Sequence, residues 1–234
     1  MIAREGLPFI LGGLLLTVST VWLATRIDSR WLFVMGVMFA LLTLFVTYFF
    51  RDPERAVAAT PGILVSPADG KVIGIDTLAS HTFFDGAVTK ISIFLSVFDV
   101  HVNRIPITGK VEYVEYHPGK FFAAFEDKAS ELNERTEIGM TAITGQKVLI
   151  KQIAGLIARR IVCRVKAGDE CKAGDRFGLI RFGSRTELFV PADSDIRIRI
   201  GEHVAGGRTV IGYLNTSSIL SASDRASQEA RGKL

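Results

Sequence analysis

Two long apolar runs open the chain. Residues 7–25 and 31–50 carry no charged side chain, and about 20 helical residues suffice to cross the hydrocarbon core of a bilayer. Each run therefore predicts a membrane-spanning helix. The link between them, Arg26-Ile27-Asp28-Ser29-Arg30, is short and polar, which predicts a helical hairpin over residues 1–50 with Met1 and everything after Arg51 on one side. A cleaved signal peptide has a single apolar core of roughly 7–15 residues, and a buried pair of soluble helices shows a polar stripe. Neither pattern fits, because Trp31-Leu32-Phe33-Val34-Met35-Gly36-Val37-Met38-Phe39 is apolar on every face. Trp22, Trp31 and Tyr48 lie near the ends of the runs, where aromatic belts form.

Beyond Phe50 the pattern changes. Arg51-Asp52-Pro53-Glu54-Arg55 is a charged boundary, and the sequence then breaks into short runs punctuated by Gly, Pro and Asp, the signature of strands. Strands are predicted over residues 72–75, 89–97, 110–116, 140–150, 161–165 and 196–200, and helices only over 152–159 and 122–132. The expected fold is mainly β, a sandwich or partly closed barrel with few short helices over residues 51–220, preceded by the transmembrane hairpin. Residues 221–234, rich in Ser, Arg, Glu and Lys, are expected to form a flexible tail.

Composition narrows the function. Of 234 residues 48% are hydrophobic, and the excess sits in the first fifty; the net charge of +4 suits a face resting on anionic lipid. No basic cluster with interleaved aromatics or recognised binding module speaks for nucleic acid. Arg4, the amino terminus, Arg51 and Arg55 outweigh Arg26 and Arg30, which places the main domain on the cytoplasmic face of the cell membrane. Cys163 and Cys171 make no disulfide framework, and no Cys-x-x-Cys or His-x-x-x-His spacing suggests zinc or another metal. They read as ordinary thiols in a reducing compartment.

The chemistry is concentrated late in the chain. Between Ile180 and Val190 apolar and polar residues roughly alternate, the period of a half-buried strand, and Gly183-Ser184 interrupts the alternation. A glycine there marks a bulge or a close backbone approach. The pair admits two readings: a plain bulged strand, or a site where the Ser184 hydroxyl attacks the unshielded Gly183 carbonyl.

Four further segments combine with this pair: Ser66-Pro67-Ala68-Asp69-Gly70-Lys71-Val72, Phe98-Asp99-Val100-His101-Val102-Asn103-Arg104-Ile105-Pro106, His117-Pro118-Gly119-Lys120-Phe121 and Asn133-Glu134-Arg135. Together with Arg176-Phe177-Gly178-Leu179-Ile180-Arg181-Phe182-Gly183-Ser184-Arg185, they resemble the short bacterial and archaeal type of phosphatidylserine decarboxylase proenzyme, in order from about residue 51 to 214. The resemblance implies self-cleavage between Gly183 and Ser184 into a β chain, 1–183, and an α chain, 184–234, which stay associated as a heterodimer; a higher oligomer is left open. It implies that Ser184 becomes a covalent pyruvoyl group, the cofactor. Its ketone forms a Schiff base with the headgroup amine of phosphatidylserine, which loses carbon dioxide to give phosphatidylethanolamine. Phosphatidylserine and membrane lipid are then the partners.

The same resemblance implies catalytic roles for His101, as proton donor and base, and for Asp69, as the acid that works with histidine to activate Ser184. Read without it, His101 is a hydrogen-bonded edge residue and Pro-Ala-Asp-Gly a β-turn. The long forms of the family carry two histidines in the segment matching residues 99–106, whereas this chain has His101 alone, with Arg104 in the second place. Either His101 serves both steps, or cleavage relies more on strain and on Asp69; a bound water, Ser66, Tyr113 and His117 are the alternative proton sources. Arg104, Arg181 and Arg185 are candidates to hold the lipid phosphate or carboxylate. The competing functions are a non-catalytic, membrane-anchored lipoyl- or biotinyl-like adaptor, suggested by Pro-Ala-Asp-Gly-Lys-Val and Thr108-Gly109-Lys110-Val111, and a pyruvoyl decarboxylase of another amine. A serine hydrolase is disfavoured, since Gly183-Ser184 lacks a Gly-x-Ser-x-Gly elbow.

Overall fold

The apolar runs form α1 (Leu7–Ile27) and α2 (Arg30–Phe49) in a computed structural model that describes residues 1–57, 60–124, 126, 129–156, 160–181 and 183–215. Pro8 stands in the first turn of α1, where its missing N–H costs nothing. Asp28, in the left-handed region at φ 48°, ends that helix, and Ser29 caps the next. The helices meet where Gly13 faces Thr43 and Gly36 faces Val21. Thr17, Thr20, Thr43 and Thr47 each donate a hydroxyl proton to the carbonyl four residues back, which hides polar groups that hydrocarbon could not solvate. Both helices are long and apolar enough to cross a membrane, and most of their large apolar side chains are exposed. They belong to a unit spanning Met1–Glu54, and the remainder, Arg55–Leu234, forms a second unit.

The second unit is built of short strands: β1 (Ile63–Val65), β2 (Gly70–Leu78), β3 (Val88–Leu95), β4 (Val102–Arg104), β5 (Gly109–His117), β6 (Arg135–Ala142), β7 (Lys147–Ile153), β8 (Ile161–Cys163), β9 (Glu170–Cys171), β10 (Arg176–Ile180), β11 (Ser184–Pro191), β12 (Asp195–Ile196), β13 (His203–Val204) and β14 (Val210–Tyr213). A single helical turn, α3 (Ala129–Leu132), precedes β6. Among the described residues the strands pair antiparallel in a curled eight-stranded sheet, order β13-β2-β3-β11-β7-β6-β5-β9, and two three-stranded sheets, β1-β14-β12 and β4-β10-β8. The fold is mainly β, as the punctuated pattern predicts.

Side-chain alternation gives the large sheet two faces. On one, Ile93, Ile91, Leu188, Ile150 and Ile138 line up across β3, β11, β7 and β6 and join Leu64, Ile105, Phe177 and Ile211 from the small sheets in a single apolar core. The other face is charged, yet much of it is buried. Ser92, Glu187, Lys151 and Glu137 lie opposite one another across four strands, Lys151 Nζ sits 3.0 Å from Glu137 Oε1, and Arg135 Nε sits at the same distance.

Several predicted elements are corrected. The run 140–150 is not one strand but the hairpin β6–β7: Gly145, at φ 86°, turns the chain between Thr144 and Gln146. The helix expected over 152–159 starts instead as strand, because Gln152 pairs with both Thr136 and Thr186 at the centre of the sheet; residues 157–159 lie outside the described residues. The helix over 122–132 shortens to α3, and the strand over 196–200 to β12, with Ile198 turned into the core instead. The single strand across 180–190 is two strands in different sheets, since the left-handed Gly183 breaks the register. The tail 221–234 lies outside the described residues.

The charged face sets the pH range of stability. Burial lowers the His81 imidazole from its ordinary value, assisted by Lys151 and opposed by Glu137; burial raises the Glu137 carboxyl, but Lys151 and Arg135 outweigh it and leave it below the ordinary value. In acid both groups bind fewer protons folded than unfolded, so stability falls as pH drops below about 6.5 for His81 and below about 4.3 for Glu137. Burial, with Glu137 and Glu115, pushes Tyr113 up to about 12, so its contribution is lost as pH rises beyond about 10. Urea unfolding against pH should show both limbs. Lys151→Met should shrink the Glu137 part of the acid limb; an unchanged limb would remove this pair from the balance.

Candidate active site

The two halves of the Gly183-Ser184 pair belong to different backbone regimes. Ser184 is the first residue of β11 and pairs with Leu95 of β3, while β7 joins the other edge from Arg185 onward. Gly183 precedes it in the left-handed region at φ 62°. An added Cβ would meet nothing there, so the backbone angle alone favours glycine. Strand alternation turns Ser184 to the same face as Thr186 and Leu188. Its side chain is completely buried, and among the described residues its Oγ has no hydrogen-bond partner. Burying an unpaired hydroxyl costs about 1–3 kcal/mol, which marks the position as one held by its surroundings.

His101 stands beside this junction. It immediately precedes β4, whose pairing with β10 places it next to the chain entering Gly183, and its own carbonyl accepts from Ile180 N–H at 3.3 Å. Nδ1 lies 3.0 Å from the Asp99 carbonyl oxygen. A carbonyl only accepts, so Nδ1 carries the proton and Nε2 presents a lone pair. Gly183 N–H points at that lone pair over 3.4 Å. His101 is fully buried, as are Asn103, Gln152 and Thr186 behind it. Asn103 Nδ2 donates to Thr186 Oγ1 at 3.2 Å, and Gln152 Nε2 to Asn103 Oδ1 at 2.8 Å, so a second layer of polar side chains fixes β4 against β11 and β7.

Asp69 does not join the pair. Arg55 Nη1 and Nη2 donate to its two carboxylate oxygens at 2.6 and 2.8 Å, and Gly206 N–H adds a bond of 2.8 Å. This fork-like pairing occupies the carboxylate and leaves no hydrogen bond to His101 or Ser184. The turn it stabilises contacts β4 through the backbone, where Arg104 N–H donates to Pro67 O at 2.8 Å. The candidate arginines also separate. Arg104 is buried and donates to Gly174 O at 3.0 Å. Arg181 is half-buried, two residues before Gly183. Arg185 is buried against Glu187, with Nη2 at 2.5 Å from Oε1 and at 3.2 Å from Ser92 Oγ.

The Arg185–Glu187 pair is the feature the sequence reading missed. Ser130 Oγ from α3 lies 2.9 and 2.8 Å from the Glu187 oxygens, so the carboxylate is enclosed from both sides. Arg-Thr-Glu at strand spacing puts both charges on one face, a signal visible in the sequence, but only the covering segment shows them buried. The thiols of Cys163 and Cys171 are free, and burial pushes both upward. A cavity of about 600 Å³ lined by Phe84, Lys147 and Asp193 opens at the far end of β11 from Ser184.

Comparison with known proteins places this geometry in context. Residues 42–212 match the family model for phosphatidylserine decarboxylase. A phosphatidylserine decarboxylase proenzyme from Symbiobacterium thermophilum is 47% identical over 214 residues, covering 92% of this chain and 96% of that protein. Proteins of the same name from Desulfotalea psychrophila and Syntrophus aciditrophicus are 45% and 46% identical, with 91% and 90% of this chain covered and 96% of each relative.

The buried ion pair has an expected energetic signature. Glu187→Ala leaves Arg185 buried without its partner and should cost about 3–5 kcal/mol, whereas replacing both residues by Met should cost less. A double-mutant cycle read by urea unfolding separates these terms. Equal losses from the single and double replacements would mean that Arg185 finds another partner.

Proposed function

This chain belongs to the phosphatidylserine decarboxylase family, and from that membership we propose that it cleaves itself between Gly183 and Ser184 and then decarboxylates phosphatidylserine to phosphatidylethanolamine. The observation that carries the reading is the buried, unpartnered Ser184 Oγ beside a left-handed glycine, with the His101 lone pair directed at the same residue. Ser184 Oγ adds to the Gly183 carbonyl carbon. Its proton passes through His101 Nε2 to the nitrogen of residue 184 as the C–N bond breaks, leaving an ester. Loss of the residue-184 Cα proton and breakage of the Cβ–Oγ bond free the Gly183 carboxylate and leave dehydroalanine. Water hydrolyses this to a pyruvoyl group with release of ammonia.

The orphaned, enclosed position of Ser184 fits such a group. The ketone supplies the electrophile and electron sink for loss of carbon dioxide, chemistry that ordinary side chains lack. His101 moves the substrate protons at Nε2, with Nδ1–H held by the Asp99 carbonyl. Arg181, half-buried beside the junction, meets the headgroup phosphate; Arg104 and Arg185 hold the fold, through Gly174 and Glu187. Asp69 supports the β1–β2 turn through Arg55. The new end at residue 184 stays in place because β11 is paired along both edges with strands of the larger fragment, so the cleaved chains remain a heterodimer. The apolar helices hold the enzyme in the cell membrane, with the main domain on the cytoplasmic face.

Mass analysis of the denatured protein should give fragments 1–183 and 184–234, the smaller one blocked to Edman degradation. Ser184→Ala should remain a single, folded, inactive chain. His101→Ala should lower decarboxylation by about 10²–10⁴-fold, while some cleaved protein accumulates, because cleavage is needed once per molecule. An intact chain that turns over phosphatidylserine would sink the mechanism. For sidedness, Ser29→Cys in the helix link of a Cys-free background should react with an impermeant maleimide from outside intact cells, and Ala192→Cys only after lysis. The reverse pattern would place the domain outside.

A further inference from the structure

Two segments with no role so far, His117-Pro118-Gly119-Lys120-Phe121 and Asn133-Glu134-Arg135, meet at one place. Lys120 N–H donates to Leu132 O at 2.7 Å and Glu134 N–H to Lys120 O at 3.0 Å. The contact is so close that a Cβ on Gly119 would lie 2.4 Å from the Asn133 carbonyl carbon. The Asn133 side chain is fully buried at this crossing. Its Oδ1 accepts from Phe122 N–H at 2.8 Å, and Nδ2 donates to Phe122 O at 2.9 Å and to Ala154 O at 2.7 Å. Ala154 N–H in turn donates to Glu134 O at 2.9 Å. The two segments thus form a rigid holder for the end of β7.

What the holder presents is Gly155. A Cβ at this residue would stand 2.1 Å from the Gly183 carbonyl oxygen, 3.1 Å from its carbon and 3.2 Å from Ala124 Cβ. Real side chains do not tolerate the first of these contacts. The carbonyl in question is the one that Ser184 must attack.

We propose that Gly155, held by Asn133, is the positioning residue for the Gly183 carbonyl: its bare α-carbon lets the chain leaving β7 press against the carbonyl oxygen and fixes the orientation in which the carbon meets Ser184 Oγ. The proposal rests on the self-cleavage reading and deepens it. Gly183 occupies open space where its own Cβ would be, so its carbonyl is located by neighbours and not by packing around its α-carbon. The wall at Gly155 follows directly on Ala154, which is tied by side-chain and backbone bonds, and a displacement of about 1 Å at a reacting centre can cost 10²-fold.

The test is the rate of self-cleavage in the full-length protein, followed by gel and intact mass after synthesis. Gly155→Ala should melt within a few degrees of Ser184→Ala and cleave about 10- to 100-fold more slowly than the unsubstituted chain. Gly86→Ala, at an exposed glycine with no neighbour near its Cβ position, should cleave normally. Neutral hydroxylamine cuts an ester without requiring elimination, so it should leave the slow Gly155→Ala chain intact if attack is the impaired step. A folded Gly155→Ala chain that cleaves at the normal rate, or one that hydroxylamine cuts at residue 183, overturns the proposal. Should Gly155→Ala fail to fold, Asn133→Asp decides: it keeps the acceptor for Phe122 N–H but loses the donor to Ala154 O. Slowed cleavage supports the proposal, and a normal rate overturns it. If the unsubstituted chain itself is never cut between Gly183 and Ser184, the self-cleavage reading fails and the proposal with it.

Discussion

The arrangement depends on where β11 begins. Ser184 opens a strand that is hydrogen-bonded along both edges, while Gly183, one residue earlier, lies in the left-handed region and belongs to no strand. The chain therefore leaves the β4-β10-β8 sheet and enters the eight-stranded sheet within three residues. Such a junction is costly to hold, since it buries a hydroxyl without a partner. The surrounding burial over-determines it: Leu188 and Val190 further along β11 are fully buried, and a buried aliphatic side chain contributes roughly 1.5–3 kcal/mol. The apolar core fixes the strand, and the strand fixes the serine.

The opposite face of the same strand solves a different problem. Arg185 follows Ser184 directly, and its guanidinium is enclosed by Glu187, Ser92 and the Glu126 carbonyl. A buried ion pair of this kind is weak evidence for stability against an apolar alternative, but it is specific in direction. Here it ties the residue next to the proposed cut to β3 and to the segment around α3. After cleavage the end of β11 would otherwise be free to fray, as strand termini do. The ion pair and the two-sided pairing oppose that fraying from different faces.

Much of the broad plan was legible in the sequence. The helical hairpin follows from two uncharged runs and a polar link, since length and charge alone decide whether a helix can cross hydrocarbon. The β character follows from short alternating runs punctuated by Gly, Pro and Asp. Local composition misled where tertiary pairing overrode it. Residues 152–159 have helix-forming composition, yet Gln152 is a central strand residue because Thr136 and Thr186 flank it. The 140–150 run reads as continuous because apolar residues at both its ends outweigh the single turn glycine at 145.

The site divides in the same way. Ser184, Gly183 and His101 were nameable from their segments, and Asn133 and Gly119 lay inside motifs that had no role. Their sequence separation hid the geometry: residues 101, 133, 155 and 183 come together only when β4 pairs with β10 and β6, β7 and β11 pair with one another. Asp69 and Arg185 show the limit most clearly. A carboxylate or guanidinium is available for chemistry only if no nearer partner takes it, and Arg55 and Glu187 do so here. Sequence by itself determined the membrane-length helices, the β class and the residue types able to carry the chemistry, because these depend on composition and local spacing. Tertiary structure alone decided which charges are already paired, which hydroxyl is left unpaired, and which backbone presses on the Gly183 carbonyl, because each depends on contacts between residues far apart in the chain.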